Sequence, residues 1–258
     1  MGKLALYQYD PRRIIIPDAK DAYFIRDLEA YRNNQNNSHN PEWYIQDKIR
    51  NNKDGYFDFS KNMIDIGACY GIYTWVLPFQ HSYMFEPNRE YFAYINANAL
   101  LHERINSVSL YNMAVSNSNG FIGFDGFVSG DLANPNGNSW TNTEYEQVQC
   151  VTLNSIKEQL SNIGFIKIDI EGHEPYALLG MMDVIKENDY PPILFESWPE
   201  GAGLESPNQR FNRVAMLNNI FDDLGYTILW NWGDEENHLA VYIRGDEGNH
   251  LDVHKSRV

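Results

Sequence analysis

From residue 61 onward, short apolar runs alternate with stretches of helical spacing. The run "NMIDIG" closes on a glycine, and "GIYTWVLPF" behind it reads as a helix that Pro78 limits. A second run, "SYMFEP", ends in an acid. Asn88 then offers an N-cap, and "REYFAYINANALL" sets Phe92, Ile95 and Ala99 at helical spacing. "SVSLYNMAVS" is a third run. Residues 115–150 interrupt the alternation: "SNSNGFIGFDGFVSGDLANPNGNSW" is dense in Gly and Asn and predicts hairpins and a long loop. The plan then resumes. "VTLNSIKEQL" reads as a helix, "IGFIKIDI" as a buried strand, and "EPYALLGMMDVIKEN" as a helix with Pro175 in its first turn. "PPILFES" is the next strand and residues 207–223 the next helix. "YTILWNW" and "HLAVYIRG" are two closing strands joined by the short turn "GDEEN". Such alternation predicts an α/β fold, a mostly parallel sheet with helices on both faces, ending in an antiparallel hairpin.

Residues 1–60 read differently. They are rich in Asn, Tyr and charge. "DAKDAYFIRDLEAYR" places Tyr23, Ile25, Leu28 and Tyr31 roughly on one helical face, and Asn33–Asn40 reads as a loop. The expected organisation is a helical and loop extension or cap over 1–60, followed by one domain over 61–258.

Composition narrows the partners. Of 258 residues, 35 are acidic and 20 basic, a net charge of −15 that repels phosphate backbones and anionic lipid. Bulk nucleic-acid binding is therefore not expected. The two cysteines, Cys69 and Cys150, make no disulfide scaffold and suit reduced thiols. The start "MGKLALYQYDPRR" lacks a signal-peptide core, and Leu6 stands where a myristoylation motif has Ser or Thr. No apolar run approaches the roughly 20 residues of a membrane span. The expectation is a soluble, cytoplasmic protein, compatible with a domain of a larger multidomain glycan-modifying one.

The glycine turn "DIGACYG" carries the first chemical signal. Asp65 and Gly67 fall at the carboxyl end of the first strand of the alternation, where open parallel sheets bind ligands. Gly67 permits a tight turn, and Gly71 lets the next helix approach closely. A dinucleotide fingerprint would hold glycine where Cys69 stands, and Asp65 opposes a pyrophosphate. A carboxylate there suits an amine or a sulfonium. Glu86 ends the second strand, where an acid takes both hydroxyls of a ribose. An adenosine with a cationic tail fits both, and S-adenosylmethionine is such a molecule. A glycine turn and a solvated strand end remain the plain alternatives for each feature singly.

Taken together, "MIDIGACYGIYTW", "FEPNREYFAYINAN", "LYNMAVSNSNG", "VTLNSIKEQL", "FIKIDIEGHEPYALLGM" and "ILFE" resemble, in order, the FkbM-type family of class I SAM-dependent methyltransferases, over about residues 60–197. The resemblance implies a Rossmann-like, seven-stranded sheet with a reversed last hairpin, SAM as donor, and an oxygen acceptor, often a sugar hydroxyl. It implies a methionine-binding turn of Asp65, Gly67, Ala68, Cys69 and Gly71 with Tyr70 and Thr74 nearby. Glu86 would hold the ribose beside Asn88, and Met113 and Ala114 would flank the adenine. Asp169 would reach the cofactor cleft.

Methyl transfer to an aliphatic hydroxyl needs alignment and a base or a metal. Asp169, Glu171 and His173 lie within five residues at a strand's carboxyl end, and Glu196 ends the adjacent run. These four are the candidate catalytic residues. One mechanism uses His173 or a carboxylate as the base. In the other, Asp169 and Glu196, with His173 as an optional third ligand, hold a divalent ion, Mg or Mn by their oxygen-rich donors. The metal-free version is favoured. The bland readings stay open: Glu171 and Glu174 facing a helix N-terminus, His173 as a helix cap. Trp198, just past Glu196, is the candidate wall for a sugar ring, with plain packing as its alternative. The predicted function is an O-methyltransferase acting on a carbohydrate or glycoconjugate hydroxyl. The alternatives are a nicotinamide-dependent oxidoreductase and an inactive methyltransferase fold serving as a binding module.

Overall fold

A computed structural model describes residues 4–9, 12–17, 42–102, 105–124, 146–197, 207–232 and 236–243. β1 (Leu4–Tyr9) and β2 (Arg12–Pro17) form an antiparallel hairpin. The helix expected over residues 18–32 and the Asn33–Asn40 loop lie outside the described residues. α1 (Glu42–Asn51) follows. The alternation then unfolds as β3 (Asn62–Ile66), α2 (Ile72–Val76), β4 (Ser82–Phe85), α3 (Arg89–Leu101) and β5 (Val108–Tyr111). Helix α2 stops just before Pro78, and Asn88 caps α3, its side chain accepting from the N–H groups of Glu90 and Tyr91.

The interruption holds β6 (Ala114–Val115), β7 (Gly120–Phe124) and β8 (Glu146–Val151), a small sheet in which β8 pairs parallel with β6 and antiparallel with β7. Most of the long loop expected between β7 and β8 lies outside the described residues. Beyond it come β9 (Ile163–Ile168), α4 (Glu174–Leu179), α5 (Met182–Glu187), β10 (Ile193–Glu196), α6 (Pro207–Leu224), β11 (Tyr226–Leu229) and β12 (Asn237–Tyr242).

Seven strands build the main sheet in the order β11-β12-β10-β9-β3-β4-β5. β3, β4, β5, β9 and β10 run parallel, and β12 lies antiparallel to both of its neighbours. The Rossmann-like α/β fold with a reversed C-terminal hairpin is thus present. Strand order reverses at β3–β9, so their carboxyl ends frame the crevice where such sheets take ligands. None of the described helices is long and apolar enough to cross a membrane.

Period-two alternation divides the core. Ile64, Ile166, Ile168, Ile193 and Phe195 pack into a cluster with Leu178, Ile185 and Leu217 of α4, α5 and α6. Met63, Phe165, Leu194 and Leu239 pack on the other face with Ile45 and Ile49 of α1. The second half of the expected 1–60 extension therefore shares the sheet's own core. β2 lies against α2 and α3.

Two helical expectations change. "VTLNSIKEQL" winds as a 3-10 helix over Leu153–Gln159, started by Thr152, whose side chain accepts from Ser155 N–H. "EPYALLGMMDVIKEN" is two helices. The Gly180 carbonyl accepts from Asn154 N–H, and Asn154 Oδ1 accepts from Asp183 N–H at 3.0 Å and so starts α5. The 3-10 segment thereby takes the hydrogen bonds that a continuous helix would have used.

Candidate active site

The turn after β3 depends on its two glycines. Gly67 has φ +74°, and a Cβ there would stand 1.9 Å from the Asp169 carbonyl oxygen. Gly71 has φ +77°, and a Cβ would meet Met84 and the Trp75 indole, both at 2.6 Å. Close approach and left-handed backbone both demand glycine. Between them Cys69 is also left-handed, at φ 50°. Gly67 and Ala68 donate to the Phe85 carbonyl, which ties the turn to the tip of β4. The Tyr70 carbonyl accepts from Trp75 Nε1 at 2.7 Å and Asn98 Nδ2 at 3.2 Å, while its ring packs edge-on against Tyr91 and Tyr94.

Glu86 sits at the tip of β4, only 4% exposed. Its Oε2 accepts from Cys69 N–H and its Oε1 from Asn88 N–H, each at 2.8 Å. Burial pushes its carboxyl up to about 7 despite these donors. Asn112 Nδ2 donates to the Glu86 and Pro87 carbonyls and holds the tip in place.

Asp65 differs from its expectation. It is 1% exposed, and Thr74 Oγ1 donates to its Oδ2 at 3.2 Å. Lys167 Nζ stands 3.8 Å from its Oδ1. Burial raises its pKa, and the ammonium opposes that rise. The chain itself thus brings a cation beside Asp65, as a carboxylate this deep needs a partner.

Alternation and register assemble the acids. Asp65 pairs with Lys167 across β3 and β9, and Lys167 with Leu194 across β9 and β10. Two residues further on, Asp169 and Glu196 continue the same face. Lys167 Nζ lies 3.2 Å from Asp169 Oδ2. Asp169, Glu171 and Glu196 each offer an oxygen, all within 4.8 Å of one another. The connecting loop is fixed by Glu174, whose Oε1 accepts from Ile170 and Gly172 N–H at 3.1 Å. Glu171 has φ 57° and Gly172 φ 101°. Burial raises Glu174 to about 7, against the pull of the nearby Arg213 guanidinium on α6. Glu196 is held well above the usual carboxylate range, first by burial, then by Asp169, Glu171 and Glu174. Its Oε2 is buried and makes no hydrogen bond among the described residues.

His173 is not in this group. It is 4% exposed, its Nε2 lies 3.0 Å from Ser116 Oγ, and its ring stacks on Tyr176. Burial lowers its pKa to about 4, so it is neutral at ordinary pH. Expected as a member of the acid–base cluster, it instead joins the start of α4 to the segment after β6. Trp198 lies outside the described residues.

Exposure sorts the remaining expectations. Gly67, Cys69, Tyr70, Asn88, Met113, Asp169, Glu171 and Glu196 are half-buried and can touch a ligand. Asp65, Ala68, Gly71, Thr74, Glu86, Ala114 and His173 are buried. Ala114 packs with Val148 and Cys150 of the small sheet. Asp169, Glu171 and Glu196 are also the described residues with the donors for a hard divalent cation. Sequence reasoning missed Lys167, Arg213, Ser116 and Asn112, while Glu174 stands in the first turn of α4, as its plain reading had it. Lys167 had a readable signal, a charge within the apolar run "FIKIDI".

No curated protein matches the chain in sequence. Solved structures similar to it include an O-methyltransferase from Bacillus cereus in complex with SAH. It shows 12% identity and a TM-score of 0.46, covering 88% of this chain and 93% of that one. Another is the precorrin-6y C5,15-methyltransferase from Geobacter metallireducens, with 12% identity and a TM-score of 0.43, covering 79% and 89%. A third is the precorrin 8W decarboxylase from Methanobacterium thermoautotrophicum, with 13% identity and a TM-score of 0.41, covering 76% and 87%. The family described as the methyltransferase FkbM domain matches residues 65–226, more than half of the chain, from the glycine turn through the acid group to β11. The chain belongs to the FkbM methyltransferase family, and its methyl donor is S-adenosyl-L-methionine.

Proposed function

We propose that the chain is an O-methyltransferase whose acceptor is a hydroxyl of a carbohydrate or glycoconjugate. The observation that carries this reading is the group Asp169, Glu171 and Glu196, half-buried at strand tips beside the donor's turn. Clustered carboxylates accept hydrogen bonds from the several hydroxyls of a polyol, and one of them can take the acceptor proton. Glu196 suits that role. When ionised it is a stronger base than an ordinary glutamate because its pKa is raised, and among the described residues Oε2 has no hydrogen-bond partner. Asp169, held by Lys167, fixes the neighbouring carboxylate. The oxygen attacks the methyl carbon in line, the carbon–sulfur bond breaks, the proton passes to Glu196, and S-adenosylhomocysteine leaves.

A second reading rests on the same group. With three oxygen donors, Asp169, Glu171 and Glu196 would hold Mg or Mn, which would lower the pKa of the acceptor hydroxyl. One assay addresses both readings. The chain is incubated with methyl-labelled SAM and a panel of sugar nucleotides and short oligosaccharides, with EDTA or with Mn. Label on a sugar oxygen, unaffected by EDTA, is the expected result. Loss with EDTA and recovery with Mn replaces the base by the cation. Label only on nitrogen or carbon acceptors overturns the oxygen assignment.

A further inference from the structure

Lys167 lies in a strand with every residue buried, and is itself 4% exposed. An ammonium in such a place must be paired or hydrogen-bonded, or it would give up its proton. The simplest account is that Lys167 neutralises Asp65. The distances argue for more. Nζ donates to the Gly67 carbonyl at 2.8 Å, lies 3.2 Å from Asp169 Oδ2, and is farthest from Asp65, at 3.8 Å. Of these three contacts, the two shortest therefore reach one atom of the donor's turn and one atom of the acceptor-side carboxylates.

The backbone makes the same junction a second time. The Gly67 Cα packs directly on the Asp169 carbonyl, with no room for a Cβ. Asp169 N–H in turn donates to the Ile66 carbonyl at 3.1 Å. The loops after β3 and β9 therefore touch through main chain, and Lys167 binds one loop's carbonyl to the other's side chain. A rotation of the Asp169 carboxylate disturbs the ammonium, and the ammonium disturbs the turn.

We propose that Lys167 is a positioning residue that couples the S-adenosylmethionine turn to the orientation of Asp169. This rests on the placing of the acids on the acceptor side given above. Lys167 touches neither substrate. It keeps the donor seat and the proton-accepting carboxylates in one alignment, so that both are lost when it is removed.

The test reads S-adenosylhomocysteine affinity by titration calorimetry on the full chain, with thermal melting as a control. No acceptor enters it, so a wrong acceptor assignment leaves the result intact. Lys167→Met leaves Asp65 buried beside no ammonium and can fail to fold. The informative variant is therefore Asp65→Asn with Lys167→Met, which removes both charges, compared with Asp65→Asn alone. The expected result is an affinity about ten-fold or more weaker in the double variant than in the single one, as for loss of a charged hydrogen bond. Asp169→Asn should weaken affinity in the Asp65→Asn background and have little further effect once Lys167 is methionine, since the coupling runs through the ammonium. Equal affinity of Asp65→Asn and the double variant, or fully additive effects of Asp169→Asn and Lys167→Met, would reduce Lys167 to a counter-charge and overturn the proposal.

Discussion

Glu86 and Glu196 end parallel strands of one sheet, and burial raises the pKa of both. Their surroundings are opposite. Glu86 has each oxygen on a backbone N–H, at 2.8 Å. Glu196 faces Asp169 and Glu171, and one of its oxygens has no hydrogen bond among the described residues. A buried carboxylate whose lone pairs meet amides is a fastener. It fixes the start of the turn and the start of α3. A carboxyl crowded by other carboxyls and short of donors is unsatisfied, and it stays so until a proton or a ligand arrives. The same shift thus has two meanings, and only the hydrogen bonds tell them apart.

The comparison can be broken first at Glu196. Glu196→Gln should lower methyl transfer by about 10²–10⁴-fold, as for loss of a general base, with S-adenosylhomocysteine affinity near that of the parent chain. Steady-state rates beside calorimetry check this; an unchanged rate would make the unsatisfied oxygen incidental.

At Glu86 the expected effect is on folding. Glu86→Gln leaves one backbone donor facing an amide NH₂, which should cost about 1–3 kcal/mol. Burial pushes the folded carboxyl up to about 7, from the ordinary glutamate value of 4.5. Its contribution to stability is therefore complete below about pH 4.5 and is lost as pH rises to about 7. The gap in stability between parent and Glu86→Gln should narrow across that window. A gap that widens with pH would show that the folded carboxyl is not raised.

The smallest effect belongs to Ser116. Ser116→Ala removes the partner of a neutral, buried His173 and should cost about 1 kcal/mol of stability, with donor affinity unchanged. A large fall in transfer rate without loss of stability would return His173 to the chemistry.

What the sequence disclosed follows from what is local. Parallel strands buried on both faces read as apolar runs, and Pro78, Asn88 and Pro175 punctuate helices through their own backbone chemistry. The sheet and its closing hairpin were legible for that reason. The break at Gly180 was not, because the bond that takes its carbonyl comes from Asn154, 26 residues away. Positions at strand tips were legible too, since Asp65, Glu86, Asp169 and Glu196 all end runs. Their partners were not. No pattern around Asp65 reveals that Lys167 meets it across the sheet, and nothing in "DIEGHE" says that its histidine turns inward to Ser116 while Glu171 joins the acids. Charge within an apolar run was the one overlooked clue.

The contact between Gly67 and the Asp169 carbonyl leaves space for a hydrogen atom and nothing larger. The tips of β3 and β9 therefore share a seam with no slack, and any residue but glycine at 67 would wedge them apart.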